Sequence, residues 1–86
     1  MARFKAEKRN NSSLYIKIKP GLPEHCVQVT DTVLLDANPD GQAIGVEFLS
    51  MNTPFPSFEL SQYIRPKNLA QVEALWNEFS GRIKSN

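Results

Sequence analysis

The chain has 86 residues, a mass of 9.7 kDa, a formal net charge of +1 and a single cysteine, Cys26. This length fits one domain with a thin core, and a content of 41% hydrophobic and 22% charged residues excludes a disordered, collagen-like or membrane-embedded chain. The small net charge excludes a long-range field that attracts nucleic acid or anionic membranes, and one cysteine excludes an intramolecular disulfide framework.

The N-terminus is basic, but no apolar run of a signal peptide follows it. No apolar stretch approaches the roughly 18 residues that a membrane-spanning helix requires. Since a lone thiol suits a reducing compartment, we expect a cytoplasmic protein without a membrane partner.

Two segments near the N-terminus predict a β-hairpin. Residues 14–19 alternate apolar and polar side chains with a period of two, which indicates a strand with one apolar face. Residues 3–6 can form its partner, because the polar run at 8–13 has the composition of a hairpin loop.

Next, residues 26–29 and 32–35 are rich in β-branched side chains and predict one long bent strand or two short ones, with a bulge near Asp31.

The clearest local signal is the turn sequence Asn38-Pro39-Asp40-Gly41. Proline suits the second position of a type I turn, and glycine suits the left-handed residue that often follows. We therefore predict a hairpin between residues 33–35 and 44–49.

Beyond Met51, two prolines predict that residues 51–67 are a crossover loop. Residues 68–83 predict a helix that begins with a capping box of Asn68 and Gln71 and stops near Gly81. Its apolar side chains recur at helical spacing: Leu69, Val72, Leu75, Trp76, Phe79 and Ile83. We interpret Leu75, Trp76 and Phe79, together with Phe55, Phe58 and Tyr63, mostly as core residues.

These elements predict an α+β fold in one domain of residues 1–86. An antiparallel sheet of about four strands, built from hairpins within residues 1–50, is covered on one face by the C-terminal amphipathic helix. Six strand residues are more than one thin core needs, so we expect a homo-oligomer, most simply a dimer, that buries the second face. They are Val27, Val29, Leu34, Ile44, Phe48 and Leu49.

Asp36, Asn38, Asp40, Gly41 and Glu47 match the spacing of a calcium-binding EF-hand loop. Such a loop needs a helix on each side, whereas the flanking residues here predict strands. We therefore interpret the pattern as a polar hairpin turn and expect no metal or other cofactor.

A second candidate site is the face of the first hairpin that carries Arg3, Lys5, Tyr15, Lys17 and Lys19. Cationic and aromatic side chains on one sheet face are typical of single-stranded nucleic-acid binding. The favoured interpretation is a solvated face whose lysines discourage edge association, since nearby acidic residues neutralise the patch.

Catalytic patterns are weak. His25 and Cys26 are adjacent, so on a strand they point to opposite faces and cannot act as nucleophile and base. One His and one Cys also cannot supply the four ligands of a structural zinc site. Asp36, Asp40 and Glu47 leave open a small hydrolase or ligand-binding protein, but we do not expect an enzyme.

Leu14-Tyr15-Ile16-Lys17-Ile18 and the hairpin LDANPDGQAIGVEFL at 35–49 resemble the L-Y-I-x-L strand and L-D-x-D-x-x-G-x-V-V-G-I-E-I-L hairpin of the YuzE-like family of small bacterial proteins, also called domain of unknown function 2283. The resemblance covers residues 1–50 and implies a compact sheet-plus-helix fold. Residues 11–13 replace an acidic residue usual in the family, and the segment after Asn52 is distinct. Because the family has no assigned activity, it implies no catalytic residue.

Together these features favour a non-enzymatic homo-oligomeric interaction module with a protein partner, for example a small toxin that it neutralises. The alternative is single-stranded nucleic-acid binding through Lys5, Tyr15, Lys17 and Lys19.

Overall fold

The computed structural model describes residues 4–8 and 13–84, with side chains up to residue 80. Five strands form one antiparallel sheet in the order β1-β2-β5-β4-β3, and two helices follow them. The elements are β1 Lys5–Lys8, β2 Leu14–Lys17, β3 His25–Thr30, β4 Val33–Ala37, β5 Ala43–Phe48, α1 Ser57–Ser61 and α2 Pro66–Lys84. The predicted α+β fold is confirmed, with five strands where about four were expected.

The additional strand arises because β3 and β4 are separate and form a tight hairpin. The Thr32 amide donates a 3.2 Å hydrogen bond to Thr30 Oγ1 within this turn. The register shifts between Gln28 and Thr30, so Val29 is the extra residue of a β-bulge. Of the two interpretations of this segment, the structure shows two short strands.

The predicted turn between β4 and β5 is present. The Gly41 amide donates a 2.9 Å hydrogen bond to the Asn38 carbonyl, and Gly41 has a φ of 83°. Asn38 Oδ1 accepts hydrogen bonds from the amides of Asp40, at 3.0 Å, and Gln42, at 2.9 Å. The Asn38 side chain thus holds the turn that the proline and glycine initiate.

The core lies between one face of the sheet and the two helices. Leu14 and Ile16 on β2 are fully buried and face the helices, as the period of two predicts. Each fully buried aliphatic or aromatic side chain stabilises the fold by about 1.5–3 kcal/mol. The main contributors from the other elements are Val33, Leu35, Val46, Phe48, Met51, Leu60, Ile64, Leu69, Val72 and Trp76.

An aromatic contact joins the sheet to the helix. The Phe55 ring lies 5.9 Å from the Phe48 ring and 5.5 Å from the Trp76 ring, measured between centroids. The second pair is nearly edge-to-face, the arrangement that ring quadrupoles favour. The segment after β5 is therefore fixed against the core despite its two prolines.

The helical region begins earlier than expected. α2 starts at Pro66, a residue whose fixed φ suits the first helical position. The predicted capping pair of Asn68 and Gln71 consequently lies inside the helix, which continues through Gly81 to Lys84. The predicted crossover at 51–67 also contains the five-residue helix α1, whose Leu60 is fully buried.

Most of the predicted aromatic core is buried or half-buried, but Phe58 and Tyr63 are 76% and 47% exposed. The side chain of Ile83 lies outside the described residues. Six apolar strand residues suggested a second buried face. Of these, Phe48 and Ile44 are fully buried, and Val27 and Val29 of β3 pack against the core. Four of the six are therefore buried or partly buried within a single copy of the protein.

Candidate functional site: the outer face and edges of the sheet

The sheet face turned away from the helices is polar. We call it the outer face, and its residues follow from the alternation along each strand and the pairing register. They are Lys5 and Glu7 on β1, Tyr15 and Lys17 on β2, Gly45 and Glu47 on β5, Leu34 and Asp36 on β4, and Cys26 and Gln28 on β3.

The structure places three of the four residues of the predicted nucleic-acid face together. Lys5 pairs with Lys17, and Tyr15 lies one row away between Glu7 and Glu47. The Lys17 ammonium donates a 3.1 Å hydrogen bond to the carbonyl of Gly21, which turns it toward the end of its own strand. Lys5 and Lys17 therefore share the outer face with two carboxylates, those of Glu7 and Glu47, which lie on either side of the Tyr15 ring.

Lys19, the fourth residue, lies beyond the end of β2. It is half-buried and lines a cavity at that end of the sheet. Arg3, which was grouped with these residues, lies outside the described residues. The predicted site is thus divided between the outer face and a separate cavity.

The Tyr15 side chain crosses the neighbouring strand. Its hydroxyl donates a 3.1 Å hydrogen bond to Asp36 Oδ2, and both residues are half-buried. The ring lies directly over Gly45, where a β-carbon would collide with it. Glycine is required here because the ring needs the space that a side chain would fill. Tyr15 is consequently held against the sheet, which leaves its ring less available for stacking on a base.

The three carboxylates of the ligand-binding alternative do not form a compact group. Asp36 and Glu47 lie on neighbouring strands of the outer face, whereas Asp40 is at the exposed tip of the β4–β5 turn. None of them lines the two cavities, of about 340 and 470 Å³, at the ends of the sheet. The strands that flank the calcium-like pattern are those predicted, β4 and β5.

Within residues 4–8 and 13–84, no three His, Cys, Asp or Glu side chains are placed so that they could share a metal ion. The helices in the same part of the chain include none with the length and apolar character needed to cross a membrane.

The two edges of the sheet differ in chemistry. β1, at one edge, has the sequence KAEK, and Lys5, Glu7 and Lys8 are exposed. β3, at the other edge, has the sequence HCVQVT and contains no Lys, Arg, Asp, Glu or Pro. Its second edge pairs with no other strand of the described chain. Cys26 on β3 is an exposed free thiol.

Two cavities lie at opposite ends of the sheet. One, of about 340 Å³, is lined by residues that follow β2, by the β4–β5 turn and by the segment that leads into α2, including Lys19 and Arg65. The other, of about 470 Å³, is a more open groove beside the β3–β4 turn, lined by Phe55, Asp31 and Glu59 among others. Sequence analysis missed the first because its residues come from three separate segments.

Comparison of the chain with known protein families, curated proteins and solved structures finds no match. The resemblance to the YuzE-like family therefore stays a prediction from residues 1–50.

Proposed function

We propose that this protein is a non-enzymatic, cytoplasmic interaction module that forms a homodimer by pairing β3 with β3 of a second copy. The observation that carries the proposal is the contrast between the two sheet edges, one charged and one uncharged. The exposed thiol of Cys26 supports the reducing location.

An unpaired edge strand presents backbone amides and carbonyls that are ready to bind another strand. Proteins usually block such pairing with a short strand, lysines or proline. β1 has the first two of these protections, since it is only four residues long and two of its residues are lysines. β3 is six residues long and has a β-branched residue at three positions, so the bulge at Val29 is the only irregularity that opposes pairing.

A second copy of this protein can pair with the free edge of β3 through its own β3, so that no unpaired β3 edge is left. Antiparallel pairing of β3 with itself around a two-fold axis perpendicular to the sheet is self-complementary and ends with one dimer. The ten-stranded sheet that results has a charged β1 at both ends, and all helices lie on one side. Pairing of β3 with β1 of a second copy would instead produce an open-ended polymer. It would also place the exposed Lys and Glu residues of β1 at the interface between copies.

The proposal includes a second protein partner, and the outer face is the surface we assign to it. Lys5 and Lys17 share this face with Glu7, Asp36 and Glu47. Such a mixture suits the polar surface of a protein, for example a small toxin, better than a nucleic-acid backbone, which requires an excess of cations.

The test compares oligomeric state by sedimentation velocity over a range of concentrations. Gln28 is an exposed residue on β3, so the variant Gln28→Lys adds two like charges near the axis of the dimer without disturbing the core. The matched control is Gln71→Lys, the same change on the exposed surface of α2. We expect a dimer for the wild type and the control and a monomer for Gln28→Lys.

A wild-type protein that remains monomeric at high micromolar concentration would refute the dimer. The same preparation also tests the nucleic-acid alternative. Salt-sensitive retention of RNA or DNA that is lost in the double variant Lys17→Glu, Lys19→Glu would favour that alternative instead.

A further inference from the structure

We propose that the cavity at the end of β2 binds a small organic phosphate. It has a volume of about 340 Å³ and lies where the end of β2, the β4–β5 turn and the start of α2 meet. This site is separate from both β3 and the outer face, so the proposal does not depend on the homodimer.

The charged residues that line the cavity are all positive. Two of the nine lining residues, Lys19 and Arg65, are cationic, and none is a carboxylate. Neither cation forms an ion pair with any other residue in the described part of the chain. Like charges that share a cavity repel each other, and a bound anion removes this repulsion while it forms charge-assisted hydrogen bonds.

The uncharged lining residues define the rest of the ligand. Gln42, Asn68 and the Tyr63 hydroxyl offer neutral hydrogen-bonding groups, and Ile18 with Ile64 supplies an apolar wall. The aromatic ring of Tyr63 is half exposed at the same cavity, where it can contact a planar group. A ligand that combines one anionic group with a small apolar or aromatic moiety matches this lining.

A phosphate monoester is the anion that fits best. It carries close to two negative charges at neutral pH, because its second pKa is about 6, and so balances two cations. A carboxylate balances only one. The volume of about 340 Å³ is within the range of small-molecule sites and is too small to enclose a nucleic-acid strand.

The experiment is an NMR titration of the full chain, labelled with ¹⁵N, with inorganic phosphate and separately with adenosine monophosphate. Sodium chloride at the same ionic strength is the control for non-specific screening. We expect saturable shifts of the amide signals of Gln42, Ala43, Arg65 and Asn68, and tighter binding of adenosine monophosphate than of phosphate.

Two variants test the cations, Lys19→Gln and Arg65→Gln, and Lys67→Gln is the matched control. Lys67 is exposed in the first turn of α2, two residues after Arg65, but does not line the cavity. We expect each cavity variant to weaken binding about tenfold and the control to change it less than about twofold, since a charge-assisted hydrogen bond is lost only in the first two. The same spectra show whether each variant is folded.

Three results would overturn the proposal. One is the absence of saturable shifts at millimolar phosphate and adenosine monophosphate. Another is an equal loss of affinity in Lys67→Gln and the two cavity variants, which would indicate general surface charge. The third is binding of oligonucleotides but of neither small probe, which would assign the cations to a polymer.

Discussion

The Tyr15 hydroxyl donates a 3.1 Å hydrogen bond to Asp36 Oδ2 across the whole width of β5. This contact joins β2 to β4, two strands that do not pair with each other, and it passes over Gly45 between them. The outer face therefore has a side-chain link that holds three adjacent strands together without a buried apolar layer. A hydrogen bond to a carboxylate in a half-buried site contributes about 1 kcal/mol.

We predict that Gly45→Ala destabilises the protein by about 1–2 kcal/mol, because the new methyl group displaces the Tyr15 ring and breaks its hydrogen bond. In a Tyr15→Ser background the same change is expected to be neutral or slightly stabilising, since alanine is better than glycine in a strand by about 0.5–1 kcal/mol. Urea unfolding of the four proteins in this double-mutant cycle measures the difference. An equal cost in both backgrounds would show that the ring is not the cause.

The helix α1 is anchored by one side chain. Leu60 is fully buried, whereas Phe58, two residues earlier, is 76% exposed. We predict that Leu60→Ala lowers the free energy of unfolding by about 2–4 kcal/mol through loss of buried area and creation of a cavity. Phe58→Ala is the control and should change it by less than about 0.5 kcal/mol. Chemical denaturation measures both, and a larger effect at Phe58 than at Leu60 would contradict the burial of Leu60 and the exposure of Phe58.

The exposed thiol of Cys26 gives a direct probe of the proposed dimer. Paired residues of antiparallel strands carry their side chains on the same face, so the two-fold axis passes at Val27 or at Gln28, and the two Cys26 residues then lie on the same face about 8 Å or about 14 Å apart, as follows from strand spacing and rise. Both distances are too long for a disulfide but within reach of a short bifunctional maleimide. We predict rapid formation of a cross-linked dimer in wild type.

The control for this cross-linking is Gln28→Lys, in which the thiol is retained and the dimer is expected to dissociate. Gel electrophoresis under denaturing conditions quantifies the product. Equal cross-linking of the two proteins would mean that random collisions, and not pairing of β3, bring the thiols together.

Local signals in the sequence predicted much of the sheet. The alternation around Ile16 gave the buried face of β2, and the residues of the turn at Asn38 and Gly41 specified the β4–β5 hairpin, because each depends on neighbours in the chain. The helix was also predicted, although its start was placed two residues late. Pro66 was the available signal, since proline is common at the first position of a helix.

Features that depend on distant segments were not predictable in the same way. The charged sequence of β1 and the uncharged sequence of β3 can be read directly, but their significance depends on knowing that these strands are the edges. The contact of Tyr15 with Asp36 requires the register of β2, β5 and β4 together. The grouping of Lys19 with Arg65 likewise arises only when α2 is docked beside the end of the sheet.

The order of elements along the chain also matters during synthesis. All five strands are complete at Phe48, whereas α1 and α2, which cover the apolar face, begin at Ser57 and Pro66. A ribosome produces the chain from its N-terminus, so the side of the sheet that carries Leu14 and Ile16 emerges before its cover. The nascent protein therefore has an interval in which its future core is open to other chains and to chaperones, and release of the C-terminal helix ends that interval.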